Sequence, residues 1–168
     1  MIKEIISDLQ LNSKRFRPNS VSAVISEAKN EMVTPVEYMG VSSGEWQETI
    51  AKIYGEYQKR LAQSGGLDFD DLLFETVRLF NRDNELLSRY QEQIKYLLID
   101  EYQDTNSVQY KLAKQLSGRY RNITVVGDMS QSIYTFRGAN FRNLMNLKKD
   151  YPNIKEIRLE RNYRSNQP

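Results

Sequence analysis

The sequence predicts an α/β protein in which a small all-helical subdomain precedes a parallel β-sheet with flanking helices. Three observations support this fold class. Apolar residues in the first 66 positions recur at helical spacing and never alternate with period two. Short segments that contain apolar residues then begin at positions 96, 123 and 154, the first of them continuously apolar, and sequences with helical periodicity lie between them. The order strand, helix, strand, helix, strand is typical of a parallel sheet.

The predicted helical subdomain occupies residues 1–66. Its clearest helical faces are formed by Val21, Val24, Ile25 and Ala28, and by Trp46, Ile50, Ile53, Tyr57 and Leu61. We interpret the aromatic residues of the second face as core rather than as ligand-binding groups. The sequence Ser64-Gly65-Gly66 is typical of a helix end. We therefore predict a boundary there, followed by a second unit over residues 67–168.

The second unit is predicted to begin with two amphipathic helices, over residues 69–80 and 86–94. They lead into the apolar run at 96–99. Because this run is short and continuous, we predict that it is a buried parallel strand. Thr105 or Asn106 can cap the following helix, and Gly118 can end it.

The sequence Ile123-Thr124-Val125-Val126 predicts the second buried strand of the sheet. A helix is then predicted from Phe141 to Lys148, ending near Pro152. Residues 154–159 are predicted to supply the third strand. Each strand is followed by polar residues, and ligands of open parallel sheets bind at the carboxyl ends of the strands.

Composition narrows the chemistry that the chain can perform. The 168 residues include no Cys and no His, which excludes thiol nucleophiles, Ser-His triads and metal sites built on thiolates or imidazoles. The net charge of +2 is the sum of 0 over residues 1–66, −6 over 67–104 and +8 over 105–168. This asymmetry predicts an acidic cluster beside a basic surface, although solvated charged faces produce the same pattern.

Membrane insertion is not expected from the sequence. Met1 to Leu9 is interrupted by Lys3, Glu4 and Asp8, unlike the apolar core of a signal peptide. No stretch approaches the roughly 18 uninterrupted apolar residues that a membrane span needs. A cytoplasmic location is the simplest expectation.

The first polar cluster, Asp100-Glu101-Tyr102-Gln103-Asp104, directly follows the first predicted strand. An Asp at such a strand end can hold Mg²⁺ directly or through water, and the adjacent Glu can orient and deprotonate an attacking water. This is the Walker B arrangement of nucleotide hydrolases. A strand that simply ends in solvated carboxylates is the alternative interpretation.

Two further clusters follow the second and third predicted strands. Residues 127–139 include Gln131, which could lie beside a terminal phosphate, and they interleave the aromatic and basic residues Tyr134, Phe136 and Arg137. Such interleaving is typical of single-strand-binding surfaces, although aromatic residues near a sheet edge are more often core. Residues 159–165 offer Arg164, which could neutralise charge on a transferred phosphate.

The three clusters together resemble motifs II, III and IV of the UvrD/PcrA/Rep family of superfamily 1 DNA helicases, in the family's order and spacing. Residues 67–72 resemble that family's entry into its core, and residues 25–35 resemble its helical insertion. The resemblance implies a partial RecA-like motor core over 67–168 and part of the insertion over 1–66. The chain then corresponds to an internal fragment of an ATP-dependent DNA helicase.

The resemblance also implies roles for individual residues. At the nucleotide, Asp100 would bind Mg²⁺, Glu101 would be the catalytic carboxylate for ATP hydrolysis, Gln131 would sense the γ-phosphate, Tyr163 would pack on adenine and Arg164 would contact the γ-phosphate. On single-stranded DNA, Tyr134 and Phe136 would meet bases and Arg137 would lie close to the strand. The chain has Ser130 and Phe136 where the family usually has Asp and Trp.

One family motif is missing from the sequence. None of the eight glycines is followed by Lys, so the chain has no Walker A loop to hold phosphates. We expect the isolated chain to be inactive, with single-stranded DNA, duplex–single-strand junctions and the remaining motor segments of the parent helicase as its partners. The alternative is a short non-catalytic protein, derived from a helicase core, that binds DNA or another protein.

Overall fold

The computed structural model describes residues 1–128 and 142–159. Eight α-helices and two β-strands lie in these ranges: α1 Ile2–Asp8, α2 Pro18–Asn30, α3 Pro35–Val41, α4 Glu45–Gln63, α5 Phe69–Arg82, α6 Asn84–Gln93, β1 Leu97–Ile99, α7 Ser107–Ser117, β2 Ile123–Val125 and α8 Arg142–Asp150. A short 3-10 helix, Tyr102–Asp104, lies between β1 and α7. Within the described ranges, no helix has the length and apolar character needed to cross a membrane.

The N-terminal helices pack around one apolar core. Its buried members come from α1, α2, α4 and the α1–α2 loop: Ile5, Ile6, Phe16, Val21, Ile25, Ala28, Ile50, Ile53 and Tyr54. The two helical faces predicted over 21–28 and 46–61 contribute to this core, with Trp46 and Tyr57 packed at its margin. The helical prediction for this part of the chain is confirmed.

The long helix α4 ends where the sequence predicts. Ser64 is its C-terminal capping residue, and Gly65 follows with a φ of 64°. This left-handed conformation is unfavourable for residues with a side chain, which explains the glycine. The helix end is confirmed, whereas the division into units at this point stays a prediction. Packing contacts cross it, because α2 touches both α5 and α7.

Helices α5 and α7 pack against each other, and α7 contacts β1. Phe74, Val77 and Phe80 of α5 and Val108 of α7 are buried. Asn106 caps α7, as predicted, by accepting a hydrogen bond from the Gln109 amide at 2.9 Å. The predicted helices over 69–80, 86–94 and 141–148 correspond to α5, α6 and α8.

Strands β1 and β2 pair in parallel, with Leu97, Leu98 and Ile99 opposite Ile123, Thr124 and Val125. The described part of the chain is therefore mostly helical with a small two-stranded parallel sheet, which is consistent with the predicted α/β class. The predicted burial of both strands is wrong, since Leu98 of β1 is 73% exposed and Thr124 of β2 is exposed as well. Helix α7 contacts β1, but no described element covers Leu98.

The predicted third strand is also wrong within the described residues. Residues 154–159 form no strand, and the sheet has two strands. Ile157 and Leu159 are exposed. Glu156 instead forms ion pairs with Lys148 of α8 and with Arg158, at 2.6 and 3.1 Å. Glu156 and Arg158 are thus paired locally, while the side chains of Ile157 and Leu159 remain in solvent.

Candidate functional site

The carboxyl ends of β1 and β2 meet at one edge of the sheet. Beyond the strands, the Val126 amide donates to the Ile99 carbonyl and the Tyr102 amide donates to the Val126 carbonyl, both at 2.9 Å. These bonds hold the chain leaving β1 against the chain leaving β2. They bring the predicted Asp100-Glu101 cluster alongside Gly127 and Asp128, which open the second predicted cluster.

Asp100 and Glu101, hereafter the carboxylate pair, are both exposed at this edge. The Glu101 amide donates to Asp100 Oδ1 at 2.8 Å. Glu101 has φ 50° and ψ 40°, a left-handed conformation that is uncommon for a residue other than glycine. Such conformations cost free energy and cluster at functional sites. The chain therefore makes an abrupt turn between the strand and the 3-10 helix, with the carboxylate pair at the turn.

Gln103 links the carboxylate pair to the end of β2. Its Nε2 donates to Glu101 Oε2 at 2.7 Å, and its Oε1 accepts from the Asp128 amide at 3.0 Å. Gln103 is 1% exposed. Sequence reasoning gave Gln103 no role, although its position two residues after Glu101 was the available signal.

Tyr102 fixes the beginning of the 3-10 helix. Its ring is buried, and this burial, with smaller contributions from Tyr151 and Asp150, raises the pKa of its hydroxyl to about 12. The Thr105 hydroxyl donates to the Tyr102 carbonyl at 2.7 Å. The residues that follow the carboxylate pair are therefore anchored by packing and by hydrogen bonds.

Asn106 joins this loop to two distant helices. Its Nδ2 donates to Asn30 Oδ1 at the end of α2, at 2.8 Å. The buried Asn143 of α8 donates to the carbonyls of Thr105 and Asn106, at 2.9 and 3.2 Å. The sequence predicted Asn106 only as a helix cap. These contacts involve residues far apart in sequence, so periodicity and capping rules cannot reveal them.

A buried charge cluster connects α2 to the beginning of α5. Lys29 Nζ lies 2.6 Å from Asp68 Oδ2 and 2.8 Å from Asp71 Oδ1. The Tyr57 hydroxyl donates to Asp68 at 2.9 Å, and Lys29 lies 5.1 Å from the Tyr57 ring centre. The available sequence signal was that Lys29 stands four residues after Ile25, on the apolar face of α2.

The cluster favours ionised Asp68. Burial of this carboxyl opposes its ionisation, but hydrogen bonds from Lys29, the Asp71 amide and Tyr57, together with the Lys29 charge, outweigh it and lower the pKa of Asp68. Burial raises the pKa of the Tyr57 hydroxyl, and its bond to Asp68 adds to the shift. Tyr57 therefore acts as a donor to the carboxylate rather than as an acid.

Two shallow grooves lie elsewhere on the described part of the chain. One, of about 340 Å³, is lined by residues of α5, α6 and α7 and by Gly118. The other, of about 550 Å³, is lined by Leu9 and by residues of α3 and α4. Neither includes the carboxylate pair, so the pair lies on an open edge of the sheet.

The remaining predicted site residues lie outside the described residues. These are Gln131, Tyr134, Phe136, Arg137, Tyr163 and Arg164. Of the predicted nucleotide site, the described part of the chain contains the carboxylate pair only.

Comparison with known proteins identifies a family and several relatives. The family described as UvrD/REP helicase N-terminal domain matches residues 1–152. A protein of Bacillus subtilis named ATP-dependent DNA helicase PcrA is 47% identical over 165 residues, which cover 98% of this chain and 22% of the relative. Proteins of the same name from Leuconostoc citreum and Staphylococcus aureus are 46% and 42% identical, again over 22% and 23% of their length. The chain thus spans about a fifth of the length of these relatives.

Proposed function

This chain belongs to the UvrD/REP helicase family, and we propose that it supplies the catalytic carboxylates of an ATP-dependent DNA helicase motor. The observation that carries this proposal is the carboxylate pair at the edge where β1 and β2 end together. Open parallel sheets bind their ligands at this edge. The relatives are named ATP-dependent DNA helicase, and this name supports ATP hydrolysis as the reaction at this edge.

Asp100 is proposed as the residue that holds Mg²⁺. Within the described residues no group of three or more Asp or Glu side chains could form a metal cage. Mg²⁺ fits a different arrangement, because it is usually bound by one or two carboxylates together with waters and substrate phosphates. The exposed Asp100 carboxylate at a strand end offers that arrangement. When bound, the ion would neutralise charge on the phosphate oxygens.

Glu101 is proposed as the general base. Its carboxylate would accept the proton of the water that attacks the terminal phosphate of ATP. Its left-handed backbone places it at the turn immediately after Asp100. The hydrogen bond from Gln103 limits the positions that the Glu101 side chain can adopt.

Other nucleotide contacts are proposed from the motif resemblance and the family membership. Gln131 would sense the γ-phosphate, Tyr163 would pack on the adenine and Arg164 would stabilise the transferred charge. Gln131 belongs to the sequence cluster that follows β2, and Tyr163 and Arg164 belong to the cluster that follows residues 154–159. Together with the carboxylate pair, they would form the part of the ATP site that this chain contributes.

Single-stranded DNA is the proposed second substrate. Tyr134 and Phe136 would stack on or lie against bases, and Arg137 would contact the strand. The net charge of +8 over residues 105–168 supports binding to a polyanion. Duplex–single-strand junctions and the remaining segments of a complete motor are the other proposed partners.

A RecA-like arrangement is proposed for residues 67–168, following a helical insertion subdomain over 1–66. The parallel pairing of β1 with β2 and the packing of α7 against β1 support the first part of this proposal. The helical character of every described element before β1 supports the second.

A chimera tests the proposed function. In it, this chain replaces the segment that it matches in the Bacillus subtilis relative, and DNA-stimulated ATP hydrolysis is measured. We expect turnover by the chimera and none by the chain alone, whose sequence has no phosphate-holding Gly-Lys loop. Glu101→Gln in the chimera should lower kcat about 10²-fold or more while nucleotide still binds.

The matched control is Glu85→Gln, which alters an exposed ion pair with Arg89 on α6 and should leave kcat unchanged. A folded chimera that shows no hydrolysis, or an active one in which Glu101→Gln has normal turnover, would contradict the proposed function.

A further inference from the structure

We propose that Gln103 is a positioning residue that fixes the Glu101 carboxylate relative to the chain leaving β2. This inference rests on the proposed function, because it assigns Gln103 to the reaction that Glu101 would catalyse. The carboxamide uses both of its ends, donating to Glu101 and accepting from the Asp128 amide. One side chain thus joins the proposed base to the backbone of the segment that follows β2.

Burial makes this link specific. Gln103 is almost fully buried, whereas Glu101 is exposed. A buried carboxamide is costly unless both its donor and its acceptor are paired. Glutamate at position 103 would keep the acceptor but lose the donor, and methionine of similar length would lose both. Glutamine is therefore the residue type that satisfies both bonds at this length.

Gly127 provides the space that the link needs. A Cβ atom on Gly127 would lie 2.8 Å from Gln103 Oε1 and 3.4 Å from the Gln103 amide nitrogen. The first distance is far inside van der Waals contact. Gly127 is not among the residues with positive φ, so its backbone conformation does not require glycine. The close approach of the Gln103 carboxamide does.

The backbone that carries Gln103 is itself anchored. The preceding residue, Tyr102, is buried and donates its amide to the Val126 carbonyl at 2.9 Å. Thr105 holds the Tyr102 carbonyl from the other side of the turn. Gln103 is thus held against the chain leaving β2 through the Tyr102 amide as well as through its own side chain. The exposed Glu101 carboxylate thereby gains a defined position.

Two substitutions separate the two hydrogen bonds in the 168-residue chain. Gln103→Met removes both, and Gln103→Glu keeps only the acceptor for the Asp128 amide. Hydrogen exchange of the Asp128 amide, followed by NMR, should be about 2- to 10-fold faster in the Met variant and within about twofold of the original in the Glu variant. Glu101→Ala should shift the Gln103 side-chain amide signals, since their acceptor is lost.

The chimera described above measures the catalytic consequence. Gln103→Met and Gln103→Glu should both lower kcat about 10-fold or more, with KM for ATP within about twofold, because the base is misplaced while the nucleotide contacts remain. Gln115→Met is the matched control, since Gln115 of α7 also donates two hydrogen bonds, but to Val77 and Asn81 of α5 rather than to the carboxylate pair. It should leave kcat unchanged.

The outcomes distinguish this inference from the proposed function. Asp128 exchange that is the same in all variants, or an active chimera whose kcat is insensitive to both Gln103 substitutions, would overturn the positioning role. An unsubstituted chimera without activity would contradict the proposed function, and the NMR measurements on the chain would still decide whether Gln103 holds Glu101.

Discussion

Lys29 and Asp71 form a buried ion pair, with 2.8 Å between Nζ and Oδ1 and side chains that are 0% and 1% exposed. Lys29 lies near the end of α2, and Asp71 lies in the first turn of α5. Asp68, which caps α5, shares the same ammonium group. The pair therefore joins helices on opposite sides of the predicted boundary at residue 66, in a place that water does not reach.

Removing the lysine from this pair should strongly destabilise the chain. Lys29→Met leaves the carboxylates of Asp68 and Asp71 without their cation, and breaking a buried pair in this way costs about 3–5 kcal/mol. Denaturant unfolding followed by circular dichroism gives the free energy of unfolding. The control is Lys59→Met, which alters an exposed contact with Glu56 and should cost about 0–1 kcal/mol. Equal losses in the two variants would refute the importance of the buried pair.

Asp68 should make the stability of the chain depend on acid pH. Its folded-state pKa is lowered, so its contribution is fully present above the ordinary value of about 3.9 and is lost as pH falls through the lowered value. Asp68→Asn keeps a good helix-capping residue but has no carboxyl to titrate. The stability difference between wild type and Asp68→Asn should therefore shrink between pH 6 and pH 2. A constant difference over that range would contradict the assignment.

Because the backbone of Glu101 is left-handed, a glycine at this position should give a more stable chain than an alanine, the reverse of the usual order. Glu101→Gly and Glu101→Ala both remove the carboxylate, but only glycine adopts a φ of 50° without strain. We expect the Gly variant to be more stable by roughly 0.5–1 kcal/mol. Asp100 provides the control, because its φ is not positive and Asp100→Gly should be less stable than Asp100→Ala. Thermal unfolding of the four variants measures both differences.

Gly127→Ala should destabilise the chain by about 1–3 kcal/mol, because the new Cβ meets the Gln103 carboxamide. The cost should fall when Gln103 is first shortened to alanine, and a double-mutant cycle measures this coupling. Gly55→Ala serves as the control. A Cβ there meets no atom within 4 Å, and alanine inside helix α4 should add about 0.5–1 kcal/mol. Additive effects of Gly127→Ala and Gln103→Ala would argue against the close approach.

The basic C-terminal part of the sequence should bind single-stranded DNA weakly. Residues 105–168 carry a net charge of +8, and we expect a Kd on the order of 10⁻⁴ to 10⁻⁶ M for fluorescent oligo-dT, weakening as salt rises. Phe136→Ala should cost about 1–3 kcal/mol of binding free energy, and Arg137→Ala should reduce the salt dependence.

Phe69→Ala is the matched control for this titration, since Phe69 is an exposed aromatic residue in the acidic part of the chain. It should bind as wild type does. A Kd that does not change with salt concentration or with either test substitution would place the DNA-binding surface elsewhere.

Local sequence signals predicted much of the fold. Apolar spacing located α2, α4, α5 and α7, and Asn106 was one of the two residues predicted as a cap. These features depend on residues within a few positions of one another, which is the range over which helical periodicity and capping act. The acidic end of β1 could also be found in this way, because it directly follows an apolar run.

Features that depend on distant residues could not be predicted. The run at 96–99 contains a strand, but Leu98 would be buried only if another element packed over it. The local sequence does not show which elements pack on the strand. Residues 154–159 have an apolar pattern but no strand partner among the described residues. Lys29 stands on an apolar face, yet its acidic partners are about 40 positions away. In each case the surroundings in space decided the outcome.

The hydrogen bond between Asn106 and Asn30 joins residues 76 positions apart, and so does that between Ser107 and Glu31. During translation at about 5–20 residues per second, α2 therefore leaves the ribosome roughly 4–15 s before its partners at the beginning of α7 leave it. In that interval the Lys29 ammonium can begin to pair only once α5 has emerged. The contacts between α2 and the loop that follows the carboxylate pair therefore form only after α7 has emerged, so the edge of the sheet is completed later than the core of the N-terminal helices.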